Sequence, residues 1–259
     1  MNYYFAEILF FSFGICIGSF LNVCIYRLPA SKSITNPRRS ICPFCKETIP
    51  FYDNIPVLSY IWLKGRCRHC NTVIPLRYPI VELLSAVMAL FVCMKFEPCF
   101  EGLIYFAFIA LLIIITFIDL DHKIIPDIIT LPGIPLFLFL SLGIPSISLI
   151  DSLLGILTGG GSLFTVAITY NFFTKKDGMG GGDIKLLAMI GALIGWQGVL
   201  FTIFVSSALG STIGIALMLR TKKGMNLAVP FGPFLSAGAV LYIFFGTSII
   251  NWYFNFLAG

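Results

Sequence analysis

Two aspartates stand where few charges occur. Asp119 closes an apolar run in Phe117-Ile118-Asp119-Leu120-Asp121-His122-Lys123-Ile124-Ile125-Pro126-Asp127, and Asp183 follows Gly178-Met179-Gly180-Gly181-Gly182 and opens another. Carboxylates beside hydrocarbon are costly when ionised, and two that approach closely hold one proton between them. Such a pair can hydrolyse an amide as aspartic proteases do. One acid takes a proton from water while the other, protonated, hydrogen-bonds the substrate carbonyl, and no covalent intermediate forms. Gly180, Gly181 and Gly182 would let the backbone approach another helix or an extended peptide. They are not a phosphate loop, because no Gly-Lys-Ser/Thr ending follows. A lone acid at a membrane edge more often snorkels or caps a helix, and Asp121, Asp127 and Asp177 read that way, Asp127 as a cap after Pro126.

A second chemistry lies in Cys42-Pro-Phe-Cys45 and Cys67-Arg-His-Cys70, two C-x-x-C pairs separated by 21 residues. That spacing matches two knuckles closing one tetrahedral S4 zinc site. Four thiolates leave no open position for substrate or water, so the metal is expected to be structural, with His69 a neighbour and not a ligand. The surrounding loop has few large aliphatic residues and cannot build much core, so metal binding would supply its folding energy. Cys93 and Cys99 offer a conceivable disulfide outside the cytoplasm.

These groups must be positioned by a membrane protein. The chain has 259 residues, of which 58% are hydrophobic and 11% charged, with a mean hydropathy of +0.95, whereas a soluble domain is about a quarter charged. The expected fold is an all-α polytopic membrane protein of about eight transmembrane helices. Apolar runs cover residues 8–26, 79–94, 102–118, 128–150 and 152–174, the last two divided only by Asp151. Residues 186–219 are too long for one crossing and are split at Trp196-Gln197-Gly198, and a last span begins near Pro230 and Pro233. If the N-terminus is outside, sixteen of the seventeen Lys and Arg face the cytoplasm, including Lys176, Lys222 and Lys223, and only Lys95 is outside. The charge bias thus places both termini outside and Asp119, Asp183 and the cysteine loop at the cytoplasmic face. The first span lacks a positive n-region and is read as a retained helix, not a cleaved signal. Three parts are expected: residues 1–26 as the first helix, residues 27–78 as a basic cytoplasmic zinc domain, and residues 79–259 as a seven-helix membrane domain carrying the acids. The net charge of +5 follows from loop sidedness and is no argument for nucleic acid.

Taken together, the chain resembles the type IV prepilin peptidases of the GxGD aspartyl-protease group. The motifs are Gly18-Ser-Phe-Leu-Asn-Val-Cys-Ile-Tyr-Arg-Leu-Pro29, the four cysteines, Arg77-Tyr-Pro-Ile-Val-Glu82-Leu-Leu, Asp119 with Ile125-Pro126-Asp127 and Thr130, and Gly180-Gly181-Gly182-Asp183 with Lys185-Leu186. The resemblance implies that Asp119 and Asp183, with Asp119 preferred over Asp121, form a catalytic dyad. It implies an inner-membrane enzyme that cuts the basic leader from prepilins or pseudopilins after Gly on the cytoplasmic side, serving pili or protein secretion. The hydrophobic helix of the substrate would stay in the bilayer.

It further implies N-methylation of the new N-terminus from S-adenosylmethionine. No glycine-rich dinucleotide motif marks the donor site, so a pocket among Asn22, Arg27, Arg77 and Glu82 is expected at the cytoplasmic ends of the first two spans. A salt bridge from Glu82 to Arg77 or Arg27 is the structural alternative. Competing readings are a GxGD peptidase without methyltransferase activity, which typically lacks the cysteine loop, a proton-coupled transporter, and a zinc-domain transporter or scaffold, which would need neither Asp119 nor Asp183.

Overall fold

A computed structural model describes residues 3–37, 39–96, 99–175, 180–221 and 229–258. Asp177, Gly178, Met179, Lys176, Lys222 and Lys223 lie outside them. The helices are α1 (Tyr3–Arg27), α2 (Leu58–Trp62), α3 (Arg77–Phe96), α4 (Phe100–His122), α5 (Asp127–Ser141), α6 (Leu149–Thr174), α7 (Gly181–Thr221) and α8 (Gly232–Ala258). Among the described residues there is no strand, only two isolated bridges, Ile41 with Thr48 and Arg66 with Val73. The chain divides into two compact units, Met1–Ile114 and Ile115–Gly259.

In the first unit α1 packs against α3. The contact is close because Gly14 and Gly18 lie on the backbone of α3, where a Cβ at Gly18 would meet Glu82 Cα at 2.6 Å. Small residues at such positions let two apolar helices bring many atoms into contact.

In the second unit α7 is central and packs against α5, α6 and α8. Its first half carries Leu186, Leu187, Met189, Ile190 and Leu193, all fully buried. Gly155 of α6 and Gly191 of α7 meet backbone to backbone, and a Cβ at Gly159 would stand 2.5 Å from the Leu187 carbonyl oxygen. The first half of α7 is thereby held in place, with Asp183 in its first turn.

The expected spans need three corrections. Among the described residues five helices are long and apolar enough to cross a bilayer, namely those within α1, α3, α4, α6 and α7, while Asp127–Ser141 and Gly232–Gly246 are shorter apolar helices. The fourth run ends at Ser141 and does not reach residue 150, so α5 has 15 residues and is about 22 Å long, short of the ~30 Å of hydrocarbon. Asp151 does not divide two spans. It sits in the first turn of α6 and forms a capping box with Ser148, satisfying amides that a helix start leaves unpaired. The long run breaks at Gly195, one residue before the expected triplet, with φ 71° and ψ 178°, a conformation open essentially to glycine.

Candidate active site

Asp119 lies in the last turn of α4, where its carbonyl accepts the Lys123 N–H at 2.8 Å. Its side chain is 5% exposed, and Oδ2 accepts a hydrogen bond from the Gly232 backbone N–H at 3.0 Å, in a buried position. Gly232 begins α8, so the amide belongs to the unpaired set at a helix N-terminus, which favours a negative partner. The fit leaves no room: a Cβ at Gly232 would stand 2.6 Å from Asp119 Oδ2. Asp183 is half-buried and near enough to Asp119 for the two charges to interact. Asp121, two residues along the helix and so on its other side, is exposed.

The segment between α4 and α5 ties the acids together. A Cβ at Gly182 would meet Ile125 Cβ at 2.8 Å, so the glycine before Asp183 permits close passage of the Ile125-Pro126 segment. Gly181 faces open space, and a Cβ at Gly180 would make only an ordinary contact with Asp183 at 3.6 Å. Asp127 does not cap α5. The N-cap is Pro126, without a side-chain cap bond, and Asp127 instead receives both of its 2.8 Å bonds from Lys185 Nζ. That exposed pair contributes little stability, but it joins the start of α5 to the start of α7. Thr130 is fully buried, its hydroxyl turned back to the Pro126 carbonyl at 3.4 Å.

In the first unit the four cysteine sulfurs lie within 4.8 Å of one another, with Cys42 and Cys70 Sγ 3.8 Å apart. Metal–sulfur bonds of about 2.3 Å in a tetrahedron place sulfurs about 3.8 Å apart, so the set fits one metal ion. The two knuckles are copies. Cys42 N–H bonds the Glu47 carbonyl at 2.9 Å and Lys46 N–H the Cys42 carbonyl at 3.0 Å, while Cys67 N–H bonds Thr72 at 2.9 Å and Asn71 N–H bonds Cys67 at 3.0 Å. Lys46 and Asn71 take matching left-handed φ values of 64° and 55°. The repeat is visible in the chain as Ile41-Cys-Pro-Phe-Cys-Lys-Glu-Thr-Ile-Pro50 and Arg66-Cys-Arg-His-Cys-Asn-Thr-Val-Ile-Pro75, and the C-x-x-C spacing alone does not bring it out. Hydrogen bonds from the Thr72 hydroxyl and N–H bring the Cys70 thiol down to about 6. The Arg68 guanidinium grips Asp53 with bonds of 2.7 and 2.6 Å and holds that carboxyl below its usual range. Cys93 and Cys99 are free thiols.

A cavity of about 540 Å³ opens between the knuckles and the adjoining ends of α1 and α3. Asn22, Arg27 and Glu82 line it, and Arg77 does not. Asn22 is 3% exposed and donates to the Tyr78 carbonyl at 3.0 Å, while its buried Oδ1 has no hydrogen-bond partner among the described residues. Glu82 accepts the Val57 N–H at 2.8 Å. The alternative ion pair with Arg27 does not form, because that guanidinium binds the carbonyls of Ser33, Ile34 and Pro37.

Residues 12–96 match the bacterial peptidase A24 N-terminal domain, and residues 106–215 match the type IV leader peptidase family. The chain is 38% identical to the prepilin leader peptidase/N-methyltransferase of Aeromonas hydrophila, over 96% of this chain and 94% of that protein. The proteins of the same name from Pseudomonas putida and Pseudomonas aeruginosa are 35% and 33% identical, over 91% and 94% of this chain and 89% and 91% of theirs. The chain belongs to the type IV leader peptidase family. No solved structure matches this leader peptidase. The first family match covers the cysteine cluster and cavity, and the second covers Asp119 and Asp183. Gly232 lies beyond both, and its place beside Asp119, 113 residues away in sequence, is the site feature that sequence reasoning missed. The available signal was Phe231-Gly232-Pro233 at a helix start, with proline in the first turn.

Proposed function

We propose that the chain is a membrane-embedded aspartyl endopeptidase that removes the leader from type IV prepilins or pseudopilins and methylates the new N-terminus. The observation that carries this reading is the buried Asp119 carboxylate, held by the Gly232 amide, with Asp183 beside it in a chain of the leader peptidase family. One acid of the pair accepts a proton from water as the water oxygen bonds to the scissile carbonyl carbon. The other gives its proton to the carbonyl oxygen. The tetrahedral intermediate collapses as the departing nitrogen is protonated, releasing the leader with a C-terminal carboxylate and the pilin with a free amine. Open space at Gly181 leaves room for an extended peptide, and Asp119 needs no reorganisation because its amide donor is already in place.

Cys42, Cys45, Cys67 and Cys70 would hold a structural zinc that fixes the two knuckles. The cavity suits S-adenosylmethionine in size, within the ~300–1,000 Å³ usual for such ligands, and the orphaned Asn22 Oδ1 calls for a donor of the kind an adenine or ammonium group carries. The donor would supply a methyl group to the pilin amine. Asn22 and Glu82 would orient it, while Arg27 shapes the wall by gripping the loop after α1. The Lys and Arg distribution supports an inner-membrane protein with its termini outside and the acids and cysteine lobe in the cytoplasm.

The test is mass spectrometry of a prepilin incubated with purified protein, with and without S-adenosylmethionine, beside the Asp119→Asn and Asp183→Asn variants. Leader loss that needs both acids, with one methyl added only when the donor is present, is the expected result. Cleavage without methylation leaves a peptidase alone. Failure to cleave any prepilin tried returns the transporter or scaffold reading.

A further inference from the structure

The segment between the two knuckles exposes the wrong side chains for water. Phe51, Leu58, Ile61 and Trp62 are 63 to 86% exposed, although they lie within twelve residues of a lobe tethered to spanning helices at both ends. Tyr60 faces inward, its ring filling the space where a Cβ of Gly65 would stand, at 2.9 Å, and its hydroxyl reaching the Ile74 carbonyl at 3.3 Å. With Tyr60 turned in, α2 presents Leu58, Ile61 and Trp62 outward. A contiguous apolar and aromatic face of this kind marks an interaction surface.

Its depth is set by one hydrogen bond. Glu82 Oε2 accepts the N–H of Val57, the N-cap residue just before α2, at 2.8 Å. Glu82 lies five residues into α3, about 7.5 Å below the basic Arg77 that opens the helix, and its side chain leans back toward that end. The start of α2 therefore sits beside the first two turns of a spanning helix, a depth comparable to the ~5–10 Å at which interfacial helices bury their apolar faces. Lys64 and Arg66 follow α2 directly, and residues 27–77 carry nine Lys and Arg against two acids, Glu47 and Asp53. An aromatic and aliphatic face beside a cationic rim suits a bilayer surface bearing anionic headgroups.

We propose that α2 and the preceding Phe51–Asn54 turn are seated in the lipid interface, with Phe51, Leu58, Ile61 and Trp62 inserted at the headgroup–acyl boundary of the leaflet where α1 ends and α3 begins. The Val57–Glu82 bond is the pin that holds this seat, so the cavity wall that Glu82 forms is braced against the bilayer. The inference rests on the spanning helices and not on the peptidase reading, and it stands or falls separately from it.

The full-length protein is reconstituted in phosphatidylethanolamine–phosphatidylglycerol bilayers, with Trp196→Phe and Trp252→Phe leaving Trp62 as the sole tryptophan. Lipids brominated near the headgroup end of the acyl chain should quench its emission roughly twofold more than lipids brominated near the chain terminus, and aqueous iodide should quench it little. The unaltered protein, photolabelled with a lipid bearing a diazirine high on its acyl chain, should carry label on the peptide containing residues 58–62, a result independent of how the tryptophan variants fold. Trp62 open to iodide and insensitive to brominated lipid overturns the proposal. So does shielding from both quenchers with no lipid label, which would mean that a second copy or another protein covers the face.

Discussion

The Gly232→Ala exchange isolates the contact on which the active-site argument rests. The added Cβ would stand 2.6 Å from Asp119 Oδ2, 3.3 Å from its Cγ and 3.2 Å from Ile125 Cδ1. Relieving that contact requires the carboxylate to move by roughly 0.5–1 Å, because carbon–oxygen contacts settle near the ~3.5 Å van der Waals minimum. Gly232 has no left-handed φ, so alanine is tolerated by the backbone, and its better helix propensity offsets some of the strain. The N–H survives, but its alignment with Oδ2 does not. A displacement near 1 Å at a reacting group costs on the order of a hundredfold in rate, or about 2.7 kcal/mol. We therefore expect prepilin cleavage to fall by about a hundredfold, with the melting temperature little changed and methylation of an already cleaved pilin intact. The assay is a time course of leader release by mass spectrometry, with thermal unfolding of the same preparation. Cleavage within about threefold of wild type, against that hundredfold, would refute the claim that Gly232 sets the position of Asp119.

Asp183→Asn should abolish cleavage while leaving expression, membrane insertion and donor binding unchanged; retained cleavage removes Asp183 from the dyad. Cys67→Ser should lower the metal content measured by elemental analysis and weaken methylation or folding of the lobe; one zinc per chain with full activity would contradict a structural S4 site. Asn22→Leu replaces a buried acceptor that lacks a partner, and an unsatisfied buried group costs about 1–3 kcal/mol. The exchange also removes the bond to the Tyr78 carbonyl, worth about 0.5–1.5 kcal/mol, so thermal stability should change little while calorimetric affinity for S-adenosylmethionine falls, and unchanged affinity would move the donor elsewhere. Asp127→Asn breaks an exposed pair with Lys185, so it should alter stability by less than about 1 kcal/mol. A larger loss in a denaturant titration would show the pair to be more than a surface link.

Local chemistry was the most legible part of the sequence. Four cysteines at knuckle spacing and two acids at the edges of apolar runs can be read without knowing the path of the chain, because each motif brings its own geometry. The break in α7 was legible to within one residue, since only glycine tolerates the backbone found at Gly195 and the neighbouring Trp196 marks the interface. Where hydropathy was the guide, the reading was less reliable. Residues 128–150 carry no charge, yet the helix stops at Ser141, whose hydroxyl meets Ser152 at 2.9 Å in a buried position. The capping box Ser148 to Asp151 lay in the sequence as a start signal, but an Asp between two apolar runs reads equally well as a boundary between spans.

The contacts that define the sites were less legible because they join distant segments through groups without a sequence signature. Any residue but proline has a backbone N–H to offer, and only the packing of α8 puts the one at Gly232 onto Asp119. The same holds for Val57, whose N–H takes the carboxylate of Glu82 that charge complementarity would assign to an arginine. In both cases an acid near hydrocarbon is met by a backbone amide and not by a cation. An amide donor stabilises a carboxylate without adding a second charge that would itself have to be desolvated. For an acid proposed to exchange a proton during hydrolysis this distinction matters. A guanidinium bonded directly to Asp119 would hold the carboxylate in its ionised form, whereas the Gly232 amide fixes Oδ2 without a full charge, which suits the proton exchange proposed for this acid.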